Sequence, residues 1–95
     1  MIILIKKYCE NFAENKDKAK EIREKYIKPH LKSLKASPII LDFQDVDSST
    51  QSFVHALISG IFQDYKEKAL DYFEFKNCNK AIKSLIATVI NYSLE

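Results

Sequence analysis

Ile39-Ile40-Leu41-Asp42-Phe43-Gln44-Asp45-Val46, running on into Asp47-Ser48-Ser49-Thr50-Gln51-Ser52, is the stretch on which the fold turns. A short apolar run with a β-branched start favours a strand over a helix. The Asp/Ser/Thr cluster that follows is rich in helix N-cap residues. Phe53, Val54, Leu57, Ile58, Ile61, Phe62 and Tyr65 then recur at helical spacing, which predicts a helix from residue 51 to about 68. The local text is therefore strand, hydroxyl-rich turn, helix.

The same alternation extends in both directions. Upstream, Ile2-Ile3-Leu4-Ile5-Lys6 is a short apolar run that reads as a strand buried on both faces. Asn11 to Asn15 reads as a turn, and Ala19, Ile22 and Tyr26 mark one face of a helix from Lys16 to about Lys28. Pro29 should kink or restart that helix, which continues through Leu31 and Leu34 to about Lys35. Ser37-Pro38 breaks the pattern. Downstream, Tyr72-Phe73-Glu74-Phe75 is a third strand, Asn77 to Asn79 cap a third helix, and Ile82, Leu85, Ile86, Val89 and Ile90 form its apolar stripe. The predicted order is β-α-β-α-β-α. That is a small α/β domain with a mainly parallel sheet of three to four strands and helices around it. Residues 1–93 read as one domain, and Leu94-Glu95 as the remnant of a cloning junction. A sheet this narrow has edges to guard, so a homodimer is one expectation.

Composition excludes more than it assigns. The 95 residues contain one Gly and two Pro, too few for a loop-rich or disordered chain. Cys9 and Cys78 cannot build a disulfide framework and have no metal-ligand spacing. The opening apolar run is too short for a signal-peptide core or a membrane span, so a soluble, cytoplasmic protein is expected. Charge is uneven: residues 16–35 hold eight Lys or Arg against three Asp or Glu, while residues 36–75 hold two against seven. A basic side and an acidic side are expected.

No acid, base and nucleophile fall together, and no Gly-rich phosphate loop exists, since Gly60 lies inside a helix. The reading is no enzyme, no cofactor and no metal. Asp42 and Asp45 read as a strand-end pair rather than a cation site. Lys16, Lys18, Lys20, Arg23, Lys25, Lys28, Lys32 and Lys35 could track nucleic-acid phosphates. The interleaved Asp17, Glu21 and Glu24 favour a solvated, charge-paired helix face instead. Nucleic-acid association is therefore the alternative function, beside a structural subunit of a homodimer.

The segment from Ile39 to Val46, with Leu41-Asp42 at its centre, resembles the strand of STAS domains, the fold of anti-sigma-factor antagonists. In that family a Ser-rich turn opening a helix follows, as Asp47–Ser52 does here. Ser52-Phe53 is similar to the Ser-Phe pair of a STAS-like branch without assigned function, and Phe75-Lys76-Asn77 to its last strand end. The resemblance implies a STAS-like or flavodoxin-like sheet, no catalysis, and action through a protein partner. It further implies a partner kinase of the histidine-kinase-like ATPase class, which phosphorylates a Ser at the start of this helix. Gln51 stands where the modified Ser of antagonists falls, and His55-Ala56 replace the acidic residues usual after the Ser-Phe pair. The expected partner surface is Asp47, Ser48, Ser49, Thr50, Gln51, Ser52 and His55, with Ser52 and Ser49 as phosphoacceptors. A phosphoryl group there would add about −1.5 to −2 charges to what reads as an acidic surface. His55 is expected to be exposed beside the turn.

Overall fold

The computed structural model describes residues 1–33 and 37–95. Its main sheet has three parallel strands, β1 (Ile2–Leu4), β3 (Ile39–Asp42) and β5 (Phe73–Lys76), in the order β1-β3-β5. Ile2 is paired with Ile40, and Ile39 with Phe73. The stretch that decides the fold is thus the central strand, hydrogen-bonded on both sides. The alternating α/β order expected from the sequence is the order observed.

Strand order also fixes where the core lies. Three parallel strands in sequential order, joined by crossovers of one hand, bring their connecting helices to the same face. Ile3, Ile39, Leu41 and Phe73 are buried on that face. Ile2 and Leu4 are 64% and 47% exposed on the other, beside exposed Glu74 and Lys76. The expectation that the first strand is buried on both faces is therefore corrected, because an apolar run does not reveal on which side its crossover passes.

The first helical rod comprises α2 (Lys16–Ile22), a π-helical stretch (Arg23–Ile27) and α3 (Lys28–Leu31). Asn15 caps it through its side-chain oxygen, and Ala19, Ile22 and Ile27 are buried. Pro29 stands at the start of α3 directly after the π-helical stretch, with Ile27 and Lys28 in helical geometry, so the rod changes its helix type there and runs on through the proline. The Leu34 and Lys35 end of the expected helix lies outside the described residues. Before this rod come α1 (Lys6–Cys9) and β2 (Phe12–Ala13), where only a turn is legible in the sequence.

The second rod comprises α4 (Gln51–Val54), a π-helical stretch (His55–Ser59) and α5 (Gly60–Tyr65). It stops three residues before the expected Lys68, since Lys66 turns to φ 57° and a 3₁₀ stretch (Lys66–Tyr72) carries the chain to β5. Phe53, Leu57, Ile58, Ile61 and Phe62 fill the core from this rod, each worth about 1.5–3 kcal/mol of burial. Helix α6 (Lys80–Ser93) buries Ile82, Ile86 and Val89 from its stripe, with Leu85 and Ile90 packed at its margin. At its base Ser93 Oγ lies 2.8 Å from buried Ser59 Oγ.

A candidate protein-docking site

The turn after β3 is fastened by the amino-terminal segment. Strand β4 (Ser48–Ser49) pairs in parallel with β2, Phe12 opposite Ser48 and Ala13 opposite Ser49. The amide of Asp47 donates to the Asn11 carbonyl at 2.8 Å and that of Thr50 to the Ala13 carbonyl at 2.9 Å. Asn11 Nδ2 adds a bond to the Asp47 carboxylate at 3.3 Å. From the other side, Asn79 Nδ2 donates to the Asp47 carbonyl at 2.7 Å.

These ties divide the expected site residues by role. Ser49 is half-buried, and its hydroxyl donates to the carbonyls of Ala13 (3.1 Å) and Thr50 (3.2 Å). Thr50 is the N-cap: its Oγ1 accepts from the Phe53 amide at 3.1 Å, a bond worth about 1 kcal/mol. Asp47 and Ser48 are exposed but held by their main chain. Gln51, Ser52 and His55 are exposed.

Ser52 and His55 open onto a groove of about 410 Å³ between the two helical rods. Ala56, Ser59, Gly60 and Gln63 continue its wall on the second rod; Lys16, Lys20 and Arg23 form the facing wall on the first. Arg23 spans the gap, donating from its guanidinium to the Ala56 carbonyl at 2.8 Å. Gly60 leaves the groove open, since a Cβ built there meets nothing within 4 Å. The lining contains no carboxylate.

The surface beside Ser52 is therefore basic, which corrects the expectation that a phosphoryl group here would join an acidic one. The acidic side chains in and near the turn have other partners: Asp42 accepts from Gln44 and Asn77, Asp45 pairs with Lys6 at 3.5 Å, and Asp47 accepts from Asn11. The sequence assigns Lys16, Lys20 and Arg23 to a basic helix face and not to the turn; the fold brings them to the groove beside Ser52 and His55. Their spacing of four and three places them on one helical face, and that was the available signal. The remaining basic residues are largely neutralised: Lys18 and Lys25 pair with Glu21, and Lys28 with Glu24. Contacts with Lys28 and Arg23 hold the Glu24 carboxyl below its ordinary range.

Among the described residues no group of three or more His, Cys, Asp or Glu side chains is placed to hold a metal. No described helix is long and apolar enough to cross a membrane. Burial raises the Cys9 and Cys78 thiols above the ordinary cysteine range.

No curated protein and no solved structure matches the chain. A family model described as "STAS-like domain of unknown function (DUF4325)" matches residues 18–83, which include the first rod from Lys18 onward, β3, the turn, the second rod and β5. With most of its length matched, the chain belongs to this STAS-like family and is a non-catalytic regulatory module of the protein-interaction kind.

Proposed function

We propose that this domain regulates a protein partner by docking it on the Asp47–Ser52 turn and the exposed side of the second rod at His55. The carrying observation is the division of labour in the turn. Thr50 takes the capping role and Ser49 is bonded inward, so Ser52 stands exposed at the mouth of the groove. The partner is a kinase of the histidine-kinase-like ATPase class, the partner class that the STAS likeness implies. Ser52 is the phosphoacceptor in this reading, because Ser49 has its hydroxyl proton committed to two carbonyls. Transfer of the γ-phosphoryl of ATP to Ser52 Oγ leaves ADP and a proton, and sets a dianion beside Lys16, Lys20 and Arg23.

Capture from an extract of the native host tests the surface. Wild-type protein should retain a partner that the Ser52→Lys/His55→Glu variant loses while keeping its circular dichroism spectrum. Capture of the same partner by the folded variant would remove the surface. Labelled ATP in the same extract should mark wild-type protein and Ser49→Ala but not Ser52→Ala.

A second reading, self-association, is favoured by one observation. The outer edge of β1 carries no charged side chain and exposes Ile2 and Leu4, whereas the β5 edge carries Glu74 and Lys76. Sedimentation of wild-type protein and of Ile2→Lys would show a dimer in the first alone.

A further inference from the structure

We infer that the groove between the two rods is a receptor for an extended acidic segment of the partner, one with carboxylates at alternate residues. This inference rests on the docking reading above and names the chemistry that the partner must bring.

The first support is charge. Three cations and no carboxylate line the groove. Lys16 and Lys20 are exposed and make no ion pair among the described residues, although four carboxylate-bearing pairings occupy their neighbours Lys18, Arg23, Lys25 and Lys28. Glu21 pairs away from the groove with Lys18 and Lys25, and Glu24 is shared between Lys28 and Arg23, which leaves Lys16 and Lys20 as the unpaired cations of the groove wall. Arg23 is fixed by its bond to the Ala56 carbonyl, which holds one cation in place before any ligand arrives.

The second support is spacing. Lys16 and Lys20 are one helical turn apart, a rise of about 6 Å at 1.5 Å per residue. Alternate residues of an extended chain lie about 6.6 Å apart and point the same way. Two carboxylates at such positions meet Lys16 and Lys20 together, while the intervening residue faces away. Above Gly60 the groove is open, giving the backbone of such a segment room.

A nucleic acid fits less well. The lining holds no Phe, Tyr or Trp and only the His55 ring on which a base could stack, and the positive face ends at Arg23, where ion-paired Glu24 begins.

Fluorescence anisotropy of a labelled eight-residue peptide with glutamates at alternate positions tests the inference at low salt. Wild-type protein should bind it, and binding should weaken as salt is raised. Lys16→Glu/Lys20→Glu should weaken it at least tenfold. Gly60→Leu, which adds bulk but no charge, should do the same. Lys25→Glu/Lys32→Glu, an equal charge change outside the groove lining, should alter it less than threefold. Loss of equal size in the Lys25/Lys32 variant, no effect of Gly60→Leu, or no peptide binding would each overturn the inference. So would tighter binding of a single-stranded oligonucleotide of equal charge. Partner capture separates this idea from its foundation. If Lys16→Glu/Lys20→Glu keeps a partner that Ser52→Lys/His55→Glu loses, the acidic segment is wrong and the docking surface stands. If both variants keep it, the docking surface is wrong as well.

Discussion

Asn79 serves two elements at once: its Oδ1 accepts from the Ile82 amide at 2.9 Å and its Nδ2 donates to the Asp47 carbonyl at 2.7 Å. The cap of the last helix is also a clasp on the docking turn. Asn79→Asp keeps a good N-cap but sets a carboxylate oxygen where the clasp donor stood, against the Asp47 carbonyl. It should cost at least about 1 kcal/mol, the worth of the lost hydrogen bond, and Asn79→Ala about 2 kcal/mol. Urea denaturation measures both. Faster amide exchange at Ser48 and Thr50 in the Asp variant would show the turn loosening; no measurable cost for Asn79→Asp would show that the clasp contributes nothing.

Gly60 lies in helical geometry, with φ −60° and ψ −35°, and has free space where a Cβ would stand. Its conformational freedom is therefore unused in the folded state. Gly60→Ala should stabilise the domain by about 0.5–1 kcal/mol, chiefly by restricting the unfolded chain. Thermal unfolding should rise by several degrees, and a fall would mean that the helix is strained there.

The buried pair Ser59 and Ser93 is asymmetric. Ser93 Oγ donates to the Val89 carbonyl at 2.7 Å, so the proton between the two hydroxyls belongs to Ser59. Ser93→Ala leaves a buried donor without its acceptor and should cost about 1–3 kcal/mol. Ser59→Ala removes only an incoming bond and should cost under about 1 kcal/mol. Equal losses in denaturant titrations would reverse the assignment of the proton.

Cys9 and Cys78 are both half-buried, and their thiols hold their protons to higher pH than a free cysteine does. At pH 8 both should react with a thiol reagent more slowly than free cysteine. The sign for stability follows. The folded chain binds these protons more tightly, so the contribution is present below the unfolded thiol pKa and is lost as pH rises through the folded one. Reaction as fast as free cysteine would contradict the burial of both.

Which parts of this molecule were legible beforehand depended on whether the cause was local. The apolar runs at residues 2–6, 39–43 and 72–75 located three strands, and the helical repeats of residues 19–31, 53–65 and 82–90 the main helices, because each element carries its own pattern. The β2–β4 bridge was not legible, since Phe12-Ala13 and Ser48-Ser49 are too short for an alternating pattern to show. The exposure of Ile2 and Leu4 follows from strand order, which no local run encodes. The turn was found from its Asp, Ser and Thr residues, but its basic neighbours Lys16, Lys20 and Arg23 come from a distant segment. Only the packing of the two rods, across which Arg23 donates to the Ala56 carbonyl, brings them beside Ser52 and His55.

The place of β3 between its neighbours has a kinetic consequence. Neither outer strand can find its partner through a hairpin: Ile2 must meet Ile40, and Ile39 must meet Phe73, each across an intervening helical rod. Ring closure of that length precedes any reward from pairing, so contact order rather than helix content governs the rate. The domain should fold more slowly than an all-helical chain of its size, and on the ribosome its sheet can only begin to assemble after the central strand has emerged.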